Sequence, residues 1–319
     1  MSYGFRIFKI KFTPDRKLAP DLHFDNPLFG PDGARGAVAS ACTKLHQSSG
    51  DADTKKGAYF KVVEAQEGGW MIAVLGSGGS FGIQRDVIDT TTGQYKAPIA
   101  PDDAVLDRMH LLLLIPPNGD SGLLVAETSG RSHLTPGLTR ALNLHLKGRG
   151  VKLRLEDDFT DAEAWSQFLD QSNIDVKAVE LVQTHKPAQG VSFGDKSIAR
   201  AVVTLQLAKG AQAKSGLLKE LKKAHKKGSK PQLTGLIGLQ AAADDDFDEQ
   251  RVVYVQNGRQ RRITVASSWP AFIYELGDTP PSRQELLDGC RSEVQHLLTQ
   301  MQIGRPNDWW PTGANMKAL

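Results

Sequence analysis

The sequence predicts an α+β protein with mixed or antiparallel sheets, flanking helices and two domains. Strand-like and helix-like patterns follow one another without the regular strand–helix–strand order that a doubly wound parallel sheet requires. Two Asn–Gly dipeptides, Asn118–Gly119 and Asn257–Gly258, each stand between apolar runs, which is typical of antiparallel hairpins. The chain has 319 residues, of which 40% are hydrophobic and 24% charged, so it can bury a sizeable core.

The first part of the chain is predicted to form mainly strands. The first strand, Gly4–Thr13, alternates apolar and polar residues and leads through a loop to a helix at Ala37–His46. The glycine-rich stretch Gly76–Gly82 is expected to connect two strands. The apolar runs Leu111–Ile115 and Leu123–Ala126 are expected to pair as a hairpin. Further strands are predicted at Ala58–Ala65, Trp70–Leu75, Ile83–Ile88 and in the run MHLLLLIP.

A second group of elements completes the predicted N-terminal domain, residues 1–208. Pro136–Lys147 has helical spacing, with Thr135 as the expected N-cap residue and Gly148 just past the end. The domain boundary is placed before the small residues of Ala208–Ala213. The other elements are a strand at Val151–Leu155, a helix at Thr160–Leu169 with a capping-box pattern, and strands at Val176–Thr184 and Ser197–Leu207.

The predicted C-terminal domain, residues 209–303, is basic and also α+β. A tail, residues 304–319, follows it and carries Trp309 and Trp310 between two prolines. This pair either packs on its own domain, which we favour, or fills a pocket on a partner protein. The domain is predicted to hold a lysine-rich helix, a strand at Gln232–Leu239, a hairpin over Arg251–Val265, a strand at Ala271–Leu276 and a final helix from Pro281 or Ser282 to about Met301.

The segment Lys214–Lys230, KSGLLKELKKAHKKGSK, contains seven lysines and one glutamate. On a period of 3.6 residues its leucines fall on one side of a short helix and a group of lysines on the other. Like charges four residues apart repel by about 0.2–0.5 kcal/mol per pair, and an anionic partner would relieve that repulsion. Nucleic-acid contacts are therefore predicted for Lys214, Lys219, Lys222, Lys223, Lys226, Lys227 and Lys230.

The hairpin VVYVQNGRQRRITV supplies a second basic element, because its Asn–Gly pair suits a two-residue type I′ turn. With that turn Tyr254 lies opposite Arg261, and Arg259 shares their face of the sheet. Arg262 lies on the other face. An aromatic ring beside two guanidinium groups can stack a base and hold phosphates, so all four are predicted contacts. The alternative is a solvated face that protects a strand edge from aggregation.

Two patterns raise the alternative of an enzyme. Residues 78–82, GGSFG, match G-x-S-x-G after the apolar run MIAVLG, and so resemble the nucleophile elbow of serine hydrolases of the α/β-hydrolase fold. The resemblance covers only these residues and the strand before them, and it implies Ser80 as nucleophile, with a histidine among His110, His133 and His185 as base. The alternative is a flexible glycine-rich connection.

Acidic residues invite the second enzyme hypothesis, a metal-dependent nuclease. Asp120 and Glu127 flank the strand-like GLLVAE, and Asp157 and Asp158 end another strand. A Mg²⁺ site needs carboxylates that converge from different elements, and the contiguous acidic run at 244–249 is better explained as a solvated loop. Neither a histidine pair nor the two cysteines have metal-ligand spacing, so no metal and no cofactor is predicted.

Composition narrows the class of protein further. The formal net charge is only +3, so the basicity is local. The amino terminus lacks the apolar core of a signal peptide, and no run approaches the roughly 18 apolar residues of a membrane span, so a cytoplasmic location without membrane contact is expected. The two cysteines predict reduced, buried side chains.

Together these observations predict a protein that binds DNA or RNA largely independently of sequence, through the lysine helix and the arginine hairpin. A hydrolase or nuclease and a protein-interaction subunit are the alternatives. The succession of strands, a glycine-rich bend, the run LLLLIPPNGDSGLLVAE and a basic carboxy-terminal part also resembles uncharacterised bacterial proteins from phage-defence loci. That resemblance implies a role in antiviral defence.

Overall fold

The structure, a computed structural model, divides the chain into two compact units. Unit 1 comprises residues 1–156 and 276–319, and unit 2 comprises residues 157–275. The residues described are 3–16, 20–82, 84–89, 91–92, 94–130, 132–156, 160, 163, 175–184, 192–193, 196–197, 200–206, 219, 223, 249–256, 259–265, 272–312 and 315–319. This division differs from the predicted boundary near residue 208, because the last helix and the tail return to the unit formed by the first half of the chain.

The fold is α+β, as predicted, and every strand pair whose register is described is antiparallel. The first elements in chain order are β1 (Tyr3–Pro14), α1 (Gly33–Gln47), β2 (Asp51–Asp53), β3 (Ala58–Gly68), β4 (Met71–Ser80), β5 (Arg85–Ile88), β6 (Tyr95–Ile99), β7 (Val105–Leu114), β8 (Ser121–Ser129), α2 (Thr135–Leu146) and β9 (Val151–Glu156). They are followed by β10 (Asp175–Thr184), β11 (Ser192–Phe193), β12 (Lys196–Ser197), β13 (Arg200–Gln206), β14 (Glu249–Gln256), β15 (Arg259–Val265), β16 (Tyr274–Gly277), α3 (Arg283–Gln300) and β17 (Lys317–Ala318).

A large sheet organises unit 1. Its strands follow the order β16-β1-β8-β7-β4-β3-β17, with β2 paired to β3 and β9 paired to β1. The predicted hairpin between the two apolar runs is confirmed, since Leu111 pairs with Ala126 and Leu114 with Leu123. Strands β5 and β6 form a separate two-stranded hairpin.

Helices cover both faces of this sheet. On one face Phe8, Ile10 and Phe12 of β1 belong to a core cluster that also contains buried residues of α1 and α2. Successive residues of a strand point to opposite faces, so Phe5 lies on the other face. There α3 packs closely, because a Cβ added at Gly289 would lie 3.9 Å from the ring of Phe5. Both faces of β1 are consequently buried.

Strands β7 and β8 separate part of the way along the sheet. Strand β7 pairs with β4 over its whole length, from Val105 to Leu114, but with β8 only from Leu111 onwards. Strand β8 stays with β1 as far as Ser129. The separation leaves the first half of β7 without a second strand partner among the described residues, and Val105 and Leu106 are exposed there.

The glycine-rich stretch predicted as a connection is strand instead, as far as Ser80. Its glycines are required by close neighbours rather than by a turn. A Cβ at Gly76 would lie 2.8 Å from the ring of Phe60, and a Cβ at Gly79 would lie 1.7 Å from the carbonyl oxygen of Val105. Periodicity alone could not show this, because glycine carries no apolar signal and is usual in turns.

The tail packs against unit 1, which is the favoured interpretation of the tryptophan pair. Trp309 and Trp310 are each only 7% exposed. The ring of Trp309 lies 6.3 Å from that of Trp70, and its carbonyl accepts a hydrogen bond of 3.1 Å from the Trp70 backbone N–H. The tail then ends in β17, which pairs with β3. A pair so buried presents little surface to a partner protein, and that role is corrected to an internal anchor.

Unit 2 contains a sheet with the described order β13-β10-β14-β15. The central strands are apolar, and Val179, Leu181 and Val252 are fully buried. Strand β15 is the last in this described order and pairs with β14. The segment with the predicted strand Gln232–Leu239 lies outside the described residues, as does most of the predicted helix Thr160–Leu169.

Candidate nucleic-acid interface

The lysine segment is described at two positions, Lys219 and Lys223. Both residues are helical and both are exposed. They stand four residues apart, so their side chains project from one side of the helix. The other predicted contacts of this segment, Lys214, Lys222, Lys226, Lys227 and Lys230, lie outside the described residues.

The arginine hairpin has the predicted register. Strands β14 and β15 pair antiparallel, with Tyr254 opposite Arg261 and Gln256 opposite Arg259. Arg262 stands opposite Val253, one position along, which is the alternation expected for a strand. The backbones of three arginines therefore follow one another along the edge strand of the sheet. The turn residues between the strands lie outside the described residues.

Tyr254 does not offer the stacking surface predicted for it. Its side chain is only 5% exposed, and its neighbours Val252 and Val253 are at most 3% exposed. Periodicity places Tyr254 on the face of Arg261, but it cannot reveal how much other chain covers that face. Base stacking needs an accessible ring face, so Tyr254 is a core residue and is removed from the candidate interface.

A further arginine of the hairpin has an internal partner. Arg251 lies directly opposite Glu180 of β10, and its guanidinium is 4.0 Å from the Glu180 carboxylate. Both side chains are largely buried. This pair fixes β14 against β10, so the charge of Arg251 is neutralised inside unit 2.

The structure removes the case for a nucleophile elbow at Ser80. Ser80 is the last residue of β4 and pairs with Val105 of β7, and an isolated hairpin follows instead of the helix that an elbow enters. His110, on the same strand β7, is five residues beyond Val105, or about 16 Å along an extended chain. A serine and a histidine so far apart cannot exchange a proton.

Of the carboxylates proposed for a metal-dependent nuclease, the two that the structure describes, Asp120 and Glu127, do not converge. Asp120 precedes β8 and accepts a hydrogen bond of 2.7 Å from the Ser121 hydroxyl, whereas Glu127 lies seven residues further along. Among the described residues, no group of three or more His, Cys, Asp or Glu side chains is arranged to hold a metal ion. Asp157 and Asp158 lie outside the described residues.

Sequence patterns do not predict the contact between the buried Glu127 and the partly buried His110 of unit 1. Glu127 is 2% exposed, and one of its carboxylate oxygens accepts a hydrogen bond of 2.7 Å from the His110 backbone N–H. Burial raises the pKa of Glu127, and the same N–H opposes that rise. Burial and the charge of Arg283 lower the pKa of His110, while Glu64 acts in the opposite direction. The sequence predicts that the two strands pair as a hairpin, but it does not predict that they separate before Leu111, where the Glu127 side chain replaces a backbone acceptor.

Comparison with known proteins does not indicate a function for this chain. No protein-family model matches the chain, and no curated protein is significantly similar to it. In the part of the chain that the structure describes, no helix is both long enough and apolar enough to cross a bilayer.

Proposed function

We propose that the protein binds DNA or RNA largely independently of sequence, through a basic surface of unit 2. The observation that carries the proposal is the exposed helical pair Lys219 and Lys223. They belong to a segment with seven lysines and a single glutamate. Ammonium groups one helical turn apart repel one another, and a polyanion offsets that repulsion while it releases its own counterions.

The edge strand β15 supports the proposal as a second source of positive charge. Strand β15 carries Arg259, Arg261 and Arg262, and it has a described partner on one side only. Guanidinium groups pair with phosphate oxygens in a bidentate manner. Lysines that act as point charges and arginines on an edge strand together suit a repeating phosphate backbone rather than a specific base.

The burial of Tyr254 makes the proposed interaction mainly ionic. Because the Tyr254 ring is buried, the proposed surface lacks the base stacking that would favour single strands. Binding should therefore weaken steeply as salt is added. If four phosphates are engaged, the slope of log K against log salt concentration is about −3.6 on duplex DNA and about −2.8 on a single strand.

The test measures fluorescence anisotropy of a labelled duplex, a single-stranded DNA and an RNA of equal length at about 50 to 200 mM salt. The double variant Lys219→Glu with Lys223→Glu is expected to weaken binding to all three at least about tenfold and to flatten the salt dependence. Lys55→Glu with Lys56→Glu is the matched control, because these exposed lysines in unit 1 give the same change in net charge.

Two results contradict the proposal. One is the absence of binding to any of the three nucleic acids at the lowest salt concentration. The other is equal weakening by the two double variants, since that would reflect net charge rather than a surface. We further propose that the protein acts in the cytoplasm and that foreign nucleic acid is its target in phage defence, an extension that rests on the resemblance described above.

A further inference from the structure

The first half of β7 is an open strand edge in the sheet of unit 1. Strand β4 pairs with β7 from Val105 onwards, but β8 pairs with it only from Leu111. On the β8 side, residues 105–108 have no strand partner among the described residues, and all four are exposed. Proteins usually cover or block such an edge, because its backbone groups can pair with another strand.

The hydrogen bond of a neighbouring residue shows which backbone groups this edge presents. In an antiparallel strand, the N–H and C=O groups of successive residues point alternately to the two sides. The His110 N–H points to the β8 side, because it donates to the Glu127 carboxylate. The N–H and C=O groups of Leu106 and Arg108 therefore point to that side, and none has a partner in the part of the chain that the structure describes. The edge thus offers two donors and two acceptors.

The space beside this edge does not require any existing contact to break. The His110 N–H is already bonded, and it marks the end of the open stretch. On the facing strand, Ser129 and Ser132 exchange two backbone hydrogen bonds of 3.0 Å, so the end of β8 bonds to its own turn. A strand added along residues 105–108 could therefore bond to β7 without displacing a described hydrogen bond.

The side chains at the start of β7 are apolar on both faces of the sheet. Val105 is 41% exposed and Leu106 is 44% exposed. Since they are consecutive, they lie on opposite faces. Leu106 stands opposite Gly79 of β4, which carries no side chain to cover it. An added strand would place side chains beside both residues and remove apolar surface from water.

Two charged residues make this edge selective. Asp107 and Arg108 are both exposed, and they lie on opposite faces of the sheet. Neither has an ion-pair partner among the described residues. Residues directly opposite one another in antiparallel strands have neighbouring side chains on one face, and opposite charges there are favourable. The charges therefore suit a strand with a basic residue opposite Asp107 and an acidic residue opposite Arg108.

A second copy of the chain does not supply that pattern. A twofold axis that pairs two β7 edges is perpendicular to the sheet, so each residue lies opposite a residue of the same face. Registers centred on Asp107 or on Arg108 place like charges directly opposite one another, which is destabilising. A register centred on Leu106 places Asp107 opposite Val105, so neither charge gains a partner. A strand of another protein is not limited by this symmetry.

We propose that residues 105–108 of β7 bind an extended segment of a partner protein as an added antiparallel strand. The segment carries an acidic residue opposite Arg108, a basic residue opposite Asp107 and apolar residues opposite the two positions before them. Backbone hydrogen bonds provide the affinity, and the alternating side chains provide the specificity. Because the strands run in opposite directions, the segment reads acidic, basic, apolar, apolar from its amino end.

The test titrates the full-length protein with the capped hexapeptide TEKVVT, which follows this order. In NMR spectra the peptide should shift the amide signals of Leu106 and Arg108 and slow their hydrogen exchange. The peptide TKEVVT has the same composition with the two charges exchanged, and it should bind at least about fivefold more weakly. N-methylation of TEKVVT at the glutamate and at the first valine removes the donors that face β7 and should abolish binding.

Variants of the protein separate the role of the charges from that of the backbone. Asp107→Lys with Arg108→Glu should reverse the preference between the two peptides. Leu106→Pro removes an N–H that points away from β4, so it should weaken binding of both peptides while β4 and β7 stay paired. Asp288→Lys with Arg291→Glu is the matched control, because it exchanges the charges of two exposed residues on α3 and should leave the preference unchanged.

Several results overturn the proposal. One is the absence of binding by TEKVVT, and another is equal binding of TEKVVT and TKEVVT. Slow exchange of the Leu106 and Arg108 amides in the free protein at every protein concentration would show that the chain covers its own edge. Exchange that slows as protein concentration rises, together with a dimer in sedimentation, would identify a second copy as the occupant.

Discussion

The backbone N–H of His110 donates a hydrogen bond of 2.7 Å to the buried carboxylate of Glu127. In an antiparallel ladder this N–H would bond to a backbone carbonyl of the neighbouring strand. The side chain takes that place at the position where β7 and β8 separate, so the His110 N–H keeps a hydrogen-bond acceptor there. The contact between the two residues therefore marks the position where β7 and β8 separate.

Replacing Glu127 by Gln should change how stability depends on pH. Burial raises the pKa of Glu127 in the folded state above its unfolded value, so the folded protein binds more protons between the two values. The free energy of unfolding then falls as pH rises from about 4.3, the usual Glu value. Glu127→Gln lacks this term, and urea unfolding from pH 4 to 7 should show the variant gaining stability relative to the wild type.

Glu127→Ala is the companion variant. It removes the acceptor as well as the charge, and the unsatisfied His110 N–H should then cost about 1–3 kcal/mol at every pH. If Glu127→Gln and Glu127→Ala have the same stability, the hydrogen bond between positions 110 and 127 contributes nothing measurable to the free energy of unfolding.

Substitution of Gly79 by Ala should destabilise unit 1 by about 1–3 kcal/mol, because the new methyl group would overlap the Val105 carbonyl and force β4 and β7 apart. Gly148→Ala is the control, since a Cβ there meets open space. Thermal unfolding monitored by circular dichroism compares the two. Equal melting temperatures would mean that the strands do not approach as closely as described.

Truncation of Trp309 to Ala should cost about 3–5 kcal/mol of stability, the usual range for a buried tryptophan. The ring contacts with Trp70 and Trp310 would be lost together. Chemical denaturation measures the change, and Trp309→Phe should recover much of it. A variant with unaltered stability would instead support a tail that serves a partner protein.

Replacing Ser282 by Ala should weaken α3 by about 1 kcal/mol. The Ser282 hydroxyl accepts from the Glu285 backbone N–H over 3.2 Å, and the Glu285 carboxylate accepts from the Ser282 backbone N–H over 2.7 Å. The Ser282 backbone N–H and hydroxyl both donate to the Glu285 carboxylate, and they hold the pKa of Glu285 below its usual value. Ser292→Ala, in the exposed middle of the helix, should be neutral, and amide hydrogen exchange in the first turn of α3 separates the two variants.

The candidate interface shows what a sequence pattern can and cannot establish. The pairing of Tyr254 with Arg261 follows from a two-residue turn and the alternation of a strand, which are local properties. The burial of Tyr254 depends on which other residues pack over that face, and the residues around Tyr254 in the sequence do not show this.

By itself the sequence determined the α+β class, most of the strands, the hairpins and the concentration of positive charge between Lys214 and Lys230. These features depend on side-chain periodicity and turn chemistry, which act over a few residues. Only the tertiary structure decided that the final helix and the tail belong with the first half of the chain, that Gly79 lies within a strand, and that Glu127 ends a strand pairing. Those features depend on contacts between residues far apart in the chain, and such contacts contribute free energy only when the whole sheet has assembled.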